Sequence, residues 1–393
     1  MSGPRAARQP DEIVEAQVSL VADRGTEADG PGAGGGFRLR PDAYLDDAFF
    51  RAERSGVFHH SWQLVADAAE LAEPGTQLAV QVGDCPIVVI ATESGLAAFH
   101  NICRHRGMTI VEGSECRPTL RCMYHGWEWD TTGTLVRLPQ RRGQFPDAAI
   151  ADLGLVPAAV AVWEGMVFVN PDAAAEPFEQ FAAGLGTLTG SYRPSELVQL
   201  AHVRIDVDFN WKLFVENHID VLHLWYLHDS TLAGFDHANF EHRRAAANWF
   251  SYEPMRAATR DQFADAPDTI RHIDQRDREG LYAHMLFPNT LMAASTEYFI
   301  TYAISPTAPN RSRIDLRVRG NADADAAALV AATRSFIDED IAACGRVQQA
   351  LVARRFAVGP LASTHEAPIL AFQDNLLAGI SAHVPDFSYL APA

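Results

Sequence analysis

Four residues constrain the fold of this chain more than any others. They are Cys103 and His105 in the run CRHRG, and Cys122 and His125 in the run CMYHGW. Their spacing is Cys-x-His-x16-Cys-x2-His, so two short loops each offer one thiolate and one imidazole. Such a chain must fold so that both loops meet, and Gly107 and Gly126 allow the tight turns this demands. Two thiolates and two imidazoles can hold a tetrahedral zinc ion or a [2Fe–2S] cluster with two histidines on one iron. In the cluster the thiolates hold one iron and the histidines the other, so each loop gives one of each. That grouping is present here, and the zinc knuckle is the competing reading. Cys85, Cys116 and Cys344 stand outside the loops and read as buried or incidental thiols.

The surrounding pattern places these loops in a β-rich domain. Residues 1–36 are polar and end in GPGAGGG, a flexible glycine-rich extension. The run RPDAYLDDAFFRAERSGVF follows, with Tyr44, Phe49, Phe50 and Val57 at helical spacing. From Trp62 to Val169 short β-rich runs alternate with turns, as in a small antiparallel barrel or sandwich. We therefore expect one domain over 37–169, with a leading helix, and a second over 170–393. The second mixes helical segments (PFEQFAAGLGTL, FNWKLFVENHIDVLHLW and a long one from Asp323) with consecutive strands around 282–320. The fold class is α+β.

A second constellation lies in HIDVLHLWYLH, residues 218–228, where three histidines stand five apart. On a helix, residues five apart point about 140° from each other, so His218, His223 and His228 cannot converge from a regular helix. A break or a local bulge is required if any two are to share an ion. Asp220, three residues before His223, would share its face on a helix.

The runs NICRHRG and CMYHGWEWDTTGTL resemble the cluster-binding region of the Rieske non-haem iron oxygenases, and the resemblance extends over roughly residues 40 to 375. It implies an N-terminal all-β Rieske [2Fe–2S] domain followed by a catalytic domain of antiparallel sheet and helices, of the helix-grip (START-like) kind. The resemblance covers Asn210, Trp211, Lys212, Glu216, Asn217 and an Asp-x-x-His-x4-His box. It thereby assigns His223 and His228 to a mononuclear Fe(II), with the helix ending or distorting after His223. The late segment FIDEDIAACGRVQQAL resembles the helix that supplies the third ligand, which selects Asp340 over Asp338. The resemblance also makes Asp220 a bridge between an iron-bound histidine and a Rieske histidine of a neighbouring subunit, hence a homotrimer. His218 reads as a packing or supporting residue. Two positions depart from the family pattern: Leu222 where a tyrosine is common, and Gly345 where a glutamate is common.

What the resemblance implies is a terminal oxygenase component that uses O2 and outside electrons to hydroxylate, dealkylate or N-oxygenate a small organic substrate. A Rieske electron-transfer protein without oxygenase activity is the alternative. No GxGxxG fingerprint follows a strand, so electrons should come from a ferredoxin or an NAD(P)H-dependent reductase. Seven arginines between Asn101 and Gly143 (Arg104, Arg106, Arg117, Arg121, Arg137, Arg141, Arg142) face four acids, a local balance of 7 − 4 = +3. They serve either to dock an acidic ferredoxin or to build the subunit interface. The whole chain carries 32 − 50 = −18, which argues against sequence-independent nucleic-acid binding. No run has the length of a membrane-spanning helix, and the N-terminus has no apolar leader, so a cytoplasmic protein is expected. An apolar or aromatic small molecule is the expected substrate. Pocket residues should come from Trp225 to Phe235 and from Phe287, Asn289, Met292, Ser295 and Tyr298.

Overall fold

Short apolar runs that alternate along the chain and end in turns pair most readily as antiparallel sheet. The computed structural model describes residues 37–389 apart from 146–148, 189–190, 264–269, 271 and 357–358. The expected extension over 1–36 lies outside the described residues. After helix α1 (Asp47–Gly56) come β1 (Gln63–Asp67), β2 (Thr76–Val82), β3 (Cys85–Thr92), β4 (Gly95–His100) and β5 (Ser114–Cys116). They are followed by β6 (Thr119–Arg121), β7 (Glu128–Asp130), β8 (Leu135–Arg137), β9 (Pro157–Trp163) and β10 (Met166–Asn170). Among the described residues, one seven-stranded sheet runs β1-β10-β9-β4-β3-β2-β5, and β6-β7-β8 form a small separate sheet. The two cysteine–histidine loops connect β4 to β5 and β6 to β7.

The second half contributes β11 (Val198–Val207), helix α2 (Trp211–Ile219), β12 (Glu241–Ala245), β13 (Asn248–Pro254) and β14 (Gly280–Leu286). Then come β15 (Thr290–Ala294), β16 (Phe299–Ala308), β17 (Arg311–Gly320), helix α3 (Ala326–Val352) and helix α4 (Ala367–His383). The sheet order is β11-β17-β16-β15-β14-β13-β12, antiparallel throughout. Its central strands are buried on both faces. Phe250, Tyr282, Met292 and Phe299 pack with Trp62, Met166 and Phe168 of the first domain. Trp249, Leu291, Ile300 and Tyr302 point the other way, into a core shared with α2, α3 and α4. Strand alternation thus divides one sheet between a domain interface and a catalytic core. Arg319 of β17 strengthens the interface, with Nη2 2.5 Å from Asp67 in β1 and 2.7 Å from the Gly165 carbonyl.

The leading segment differs from its expected grouping. Leu39, Tyr44, Phe49, Ala52 and Phe58 bury themselves in the second domain's core, because α1 packs on α4 rather than on the β-rich domain. There it anchors α2. Asn210 caps that helix through its side chain, which accepts from the Lys212 amide. Lys212, fully buried, meets the Glu53 carboxylate of α1 at 2.5 Å, with the rings of Tyr44, Phe49 and Trp211 around its ammonium. Glu216 accepts from the Tyr44 hydroxyl at 2.7 Å and from Gln373 Nε2 of α4 at 2.8 Å. Removing one side of such a buried ion pair leaves an uncompensated charge, so this layer holds α2 firmly in place. Among the described residues no helix is long and apolar enough to cross a membrane.

Candidate active site

The two loops of the first domain are built alike. In one, Cys103 N–H donates to the Met108 carbonyl at 2.8 Å, and Gly107 N–H returns to the Cys103 carbonyl at 3.0 Å. In the other, Cys122 N–H donates to the Trp127 carbonyl at 2.9 Å and Gly126 N–H to the Cys122 carbonyl at 3.0 Å. Each glycine closes its turn in the left-handed region, at φ +73 and +70. The histidines occupy different places on these matched turns, two and three residues after the cysteine. The two Nδ1 atoms nevertheless face each other at 3.2 Å. His105 stacks on Trp127, centroids 5.0 Å apart. Cys103 and Cys122 are buried beneath, while His125, Met123 and Tyr124 are exposed. Burial raises the Cys103 thiol pKa, and the neighbouring Cys122 adds to this. An inner pair of neighbouring sulfurs and an outer pair of facing imidazole nitrogens fit a [2Fe–2S] cluster, thiolates on one iron and histidines on the other, with the histidine-bound iron toward solvent.

The second constellation is buried. Helix α2 stops at Ile219, and Asp220 takes extended dihedrals (φ −90, ψ 112). A 3-10 turn over Leu222–Trp225 follows, then irregular chain to His228. The break therefore precedes Asp220 rather than following His223, and Asp220 and His223 never share a helix. They meet all the same: Asp220 Oδ1 accepts from the Leu222 amide at 2.7 Å, and Oδ2 lies 3.4 Å from His223 Nδ1. That contact lacks hydrogen-bond alignment and leaves Nδ1 without a bonded partner. His223 Nε2 and His228 Nε2 both face Asp340 Oδ1 of α3, at 3.6 and 2.9 Å. One donor atom from each of the three lies within 4.8 Å of the others. Burial lowers the basicity of His223, but Asp220 and Asp340 outweigh it and lift its pKa to about 9. His228 is likewise raised against the effect of burial, by Asp340 and Glu339. Asp340 is lowered, because both histidines overcome its desolvation. A pocket that favours a proton this strongly also favours a metal cation, and two imidazoles with one carboxylate fit Fe(II) with open positions. Asp338 instead points outward and pairs with Arg334 at 2.6 Å.

Sequence reasoning missed Glu339. Its carboxylate takes the His228 Nδ1 at 2.6 Å and the Thr231 hydroxyl at 2.7 Å. The adjacent acids Glu339 and Asp340 thus reach the two nitrogens of one imidazole, which no spacing rule would show. Metal-binding histidines commonly donate their second N–H in this way. His218 stands off the three-residue cluster, with Nε2 3.0 Å from the His284 carbonyl, and burial lowers its pKa to about 4.

The cluster opens on a pocket whose walls include His218, Leu232, Trp249, Glu253, Tyr298, Tyr302 and Phe336. Of the expected residues, His228 and Leu232 line it, as do Ala293, Tyr298 and Tyr302 from the expected strands between Met285 and Tyr302; Phe287 and Met292 fill the hydrophobic cores. Asn289 bonds the Ile304 carbonyl instead, and Ser295 sits in the turn before Tyr298. Trp249, Ser251 and Glu253 come from β13, a strand that alternation alone did not reveal. Glu253 is buried and pairs with His237 Nδ1 at 2.5 Å. No lysine or arginine lines the pocket among the described residues. Asn217 and Asp220 also line a second cavity of about 270 Å³ on the other side, whose outer wall includes the half-exposed Val347 and Phe356.

Comparison with known proteins finds matches over both halves of the chain. Residues 61–157 match the Rieske [2Fe-2S] domain and residues 194–382 the ring hydroxylating alpha subunit (catalytic domain). Choline monooxygenase of Arabidopsis thaliana is 29% identical over 49% of this chain and 49% of its own length. The glycine betaine monooxygenase oxygenase subunit of Chromohalobacter salexigens is 32% identical over 46% of this chain and 40% of its own. The chain thus spans about half or less of the length of these curated relatives. A solved quaternary ammonium Rieske monooxygenase, CntA, shares the fold at a TM-score of 0.74 and 21% identity, covering 88% of this chain and 95% of that one. With a Rieske domain, a ring-hydroxylase catalytic domain and the donor sets each requires, the chain belongs to the Rieske non-haem iron oxygenase family.

Proposed function

We propose that this chain is a terminal oxygenase that uses O2 and electrons from a separate ferredoxin or reductase to oxidise a small organic cation. In this reading Cys103, His105, Cys122 and His125 hold the [2Fe–2S] cluster, and His223, His228 and Asp340 hold the mononuclear iron. The observation that carries it is the convergence of those last three residues on the wall of a pocket. When bound, the cluster supplies single electrons and the Fe(II) supplies open positions for O2. An electron carrier has no use for that pocket.

The chain's own residues set the geometry. Asp220 stands 3.4 Å from His223 Nδ1, and Glu339 fixes the ring of His228 through its Nδ1. Asp220 also faces the second cavity, which supports its role as the bridge to a Rieske histidine of a neighbouring subunit in a homotrimer. The exposed tip formed by Met123, Tyr124 and His125 suits the other side of that contact. Arg117, Arg121 and Arg137 are already paired with Glu115 or Glu128, so ferredoxin docking would rest on Arg104, Arg106, Arg141 and Arg142. Cys85, Cys116 and Cys344, which stand outside the cluster loops and form no disulfide, support a cytoplasmic, reducing setting.

The substrate reading comes from the lining. Trp249, Tyr298, Tyr302 and Phe336 offer ring faces, Glu253, paired with His237, offers a buried carboxylate, and among the described residues no lysine or arginine opposes them. Aromatic rings beside a carboxylate favour an ammonium group over a neutral ring or a carboxylate. The relatives named for choline and glycine betaine support the same class. The test has two arms. Purified protein should be red-brown, with about three irons per chain, two in the cluster and one mononuclear. With reductase, a choline-type cation should be turned over faster than its carboxylate analogue or a neutral aromatic, and Glu253→Gln should raise KM for the cation about tenfold. Faster turnover of the neutral aromatic would overturn the substrate class alone. An iron count of two would overturn the oxygenase reading itself.

A further inference from the structure

A third group of metal-ligating side chains lies away from both sites. His59 follows α1 in a short 3-10 turn, and Asp84 and Cys85 sit at the tip of the β2–β3 hairpin. One donor atom from each lies within 4.8 Å of the other two. His59 Nε2 contacts Asp84 Oδ1 directly, while Arg54 Nη1 stands 3.5 Å from the other oxygen, Oδ2. The hairpin tip is locked against this turn: Gly83 has φ +58, and a Cβ there would come within 3.0 Å of the Phe58 Cβ. Phe58 itself packs edge-on against Trp211 in the second domain's core. The three donors are therefore held by two elements that cannot drift apart without unpacking the core.

We propose that His59, Asp84 and Cys85 bind a zinc-class divalent ion that clamps the hairpin of the first domain to the end of α1. One nitrogen, one oxygen and one sulfur donor with a water in the fourth position suit such an ion better than Mg2+ or Ca2+, which prefer oxygen alone. His59 and Asp84 are 30% and 44% exposed at the side chain, so an ion can reach them from solvent. Binding converts the Cys85 thiol to a thiolate, its proton passing to solvent, and takes the neutral His59 ring with Nε2 free for the ion and the N–H on Nδ1. Burial and Asp84 hold that thiol at about 11, so zinc uptake should strengthen as pH rises.

The test uses the iron-loaded protein. It is incubated with zinc sulfate and desalted, and zinc and iron are then counted by mass spectrometry. Wild type should retain about one zinc per chain with its iron unchanged, and Cys85→Ser and His59→Gln should lose at least about nine-tenths of that zinc. On wild type alone, zinc should protect Cys85 from alkylation while the exposed Cys116 stays reactive, so the test survives a variant that fails to fold. Equal zinc in wild type and Cys85→Ser, or no protection of Cys85, overturns the site. Iron lost as zinc is gained assigns the zinc to His223, His228 and Asp340 and likewise overturns it.

Discussion

The two sites share a pair of imidazoles but add opposite partners, thiolates in one and a carboxylate in the other. The Cys103–His105 and Cys122–His125 loops are local turns at the edge of a small β domain, with sulfurs inside and an imidazole in solvent. The His223–His228–Asp340 cluster is assembled from a broken helix and a second helix more than a hundred residues later, and His228 is 1% exposed. A group that hands electrons across a boundary must sit near the surface. In the proposed function the second group handles O2 and substrate, which calls for a buried position where geometry is held by packing. Local turns suffice for the first task, and only tertiary packing meets the second.

The sharpest way to break this contrast is to remove a buried ligand. His228→Ala should reduce iron from about three per chain to about two and abolish oxygenation, with the red-brown cluster spectrum intact. Loss of the cluster signal as well would mean that the two sites fold as one unit. Asp220→Asn should keep both metal contents yet lower turnover by about a hundredfold, read by single-turnover reoxidation of the cluster. Normal turnover would remove Asp220 from the electron path and leave the iron ligands standing. Glu339→Gln should weaken iron retention about 10- to 100-fold, measured by competition with a chelator, because His228 loses its orienting carboxylate. The smallest effect belongs to the exposed loops. A Cβ at Gly107 meets nothing within 4 Å, so Gly107→Ala should cost only the left-handed backbone penalty, about 1–2 kcal/mol, in thermal unfolding.

The loops were readable because their donors lie on contiguous chain, where spacing alone sets which atoms can meet. Asp340 was readable through its resemblance to a family helix, and its separation from Asp338 then followed helical rotation. Glu339 was not, since both nitrogens of one ring are served by adjacent acids only if His228 approaches α3 end-on. The helix break was placed too late because Val221 and Leu222 continue the apolar pattern, and nothing local announces that Asp220 leaves the helix. Strand β13, which brings Trp249 and Glu253 to the pocket, was hidden by being buried on both faces, so its residues do not alternate.

The sequence by itself determined the two cysteine–histidine loops and the order of a β-rich and an α+β domain, because these depend on residue type and short-range spacing, while the family and Asp340 were reached through resemblance. The tertiary structure alone decided where α2 ends, which core takes the leading helix, what lines the pocket and which carboxylate steadies His228. Each of these depends on contacts between residues far apart in the chain, whose energies come from burial and packing that no local spacing encodes.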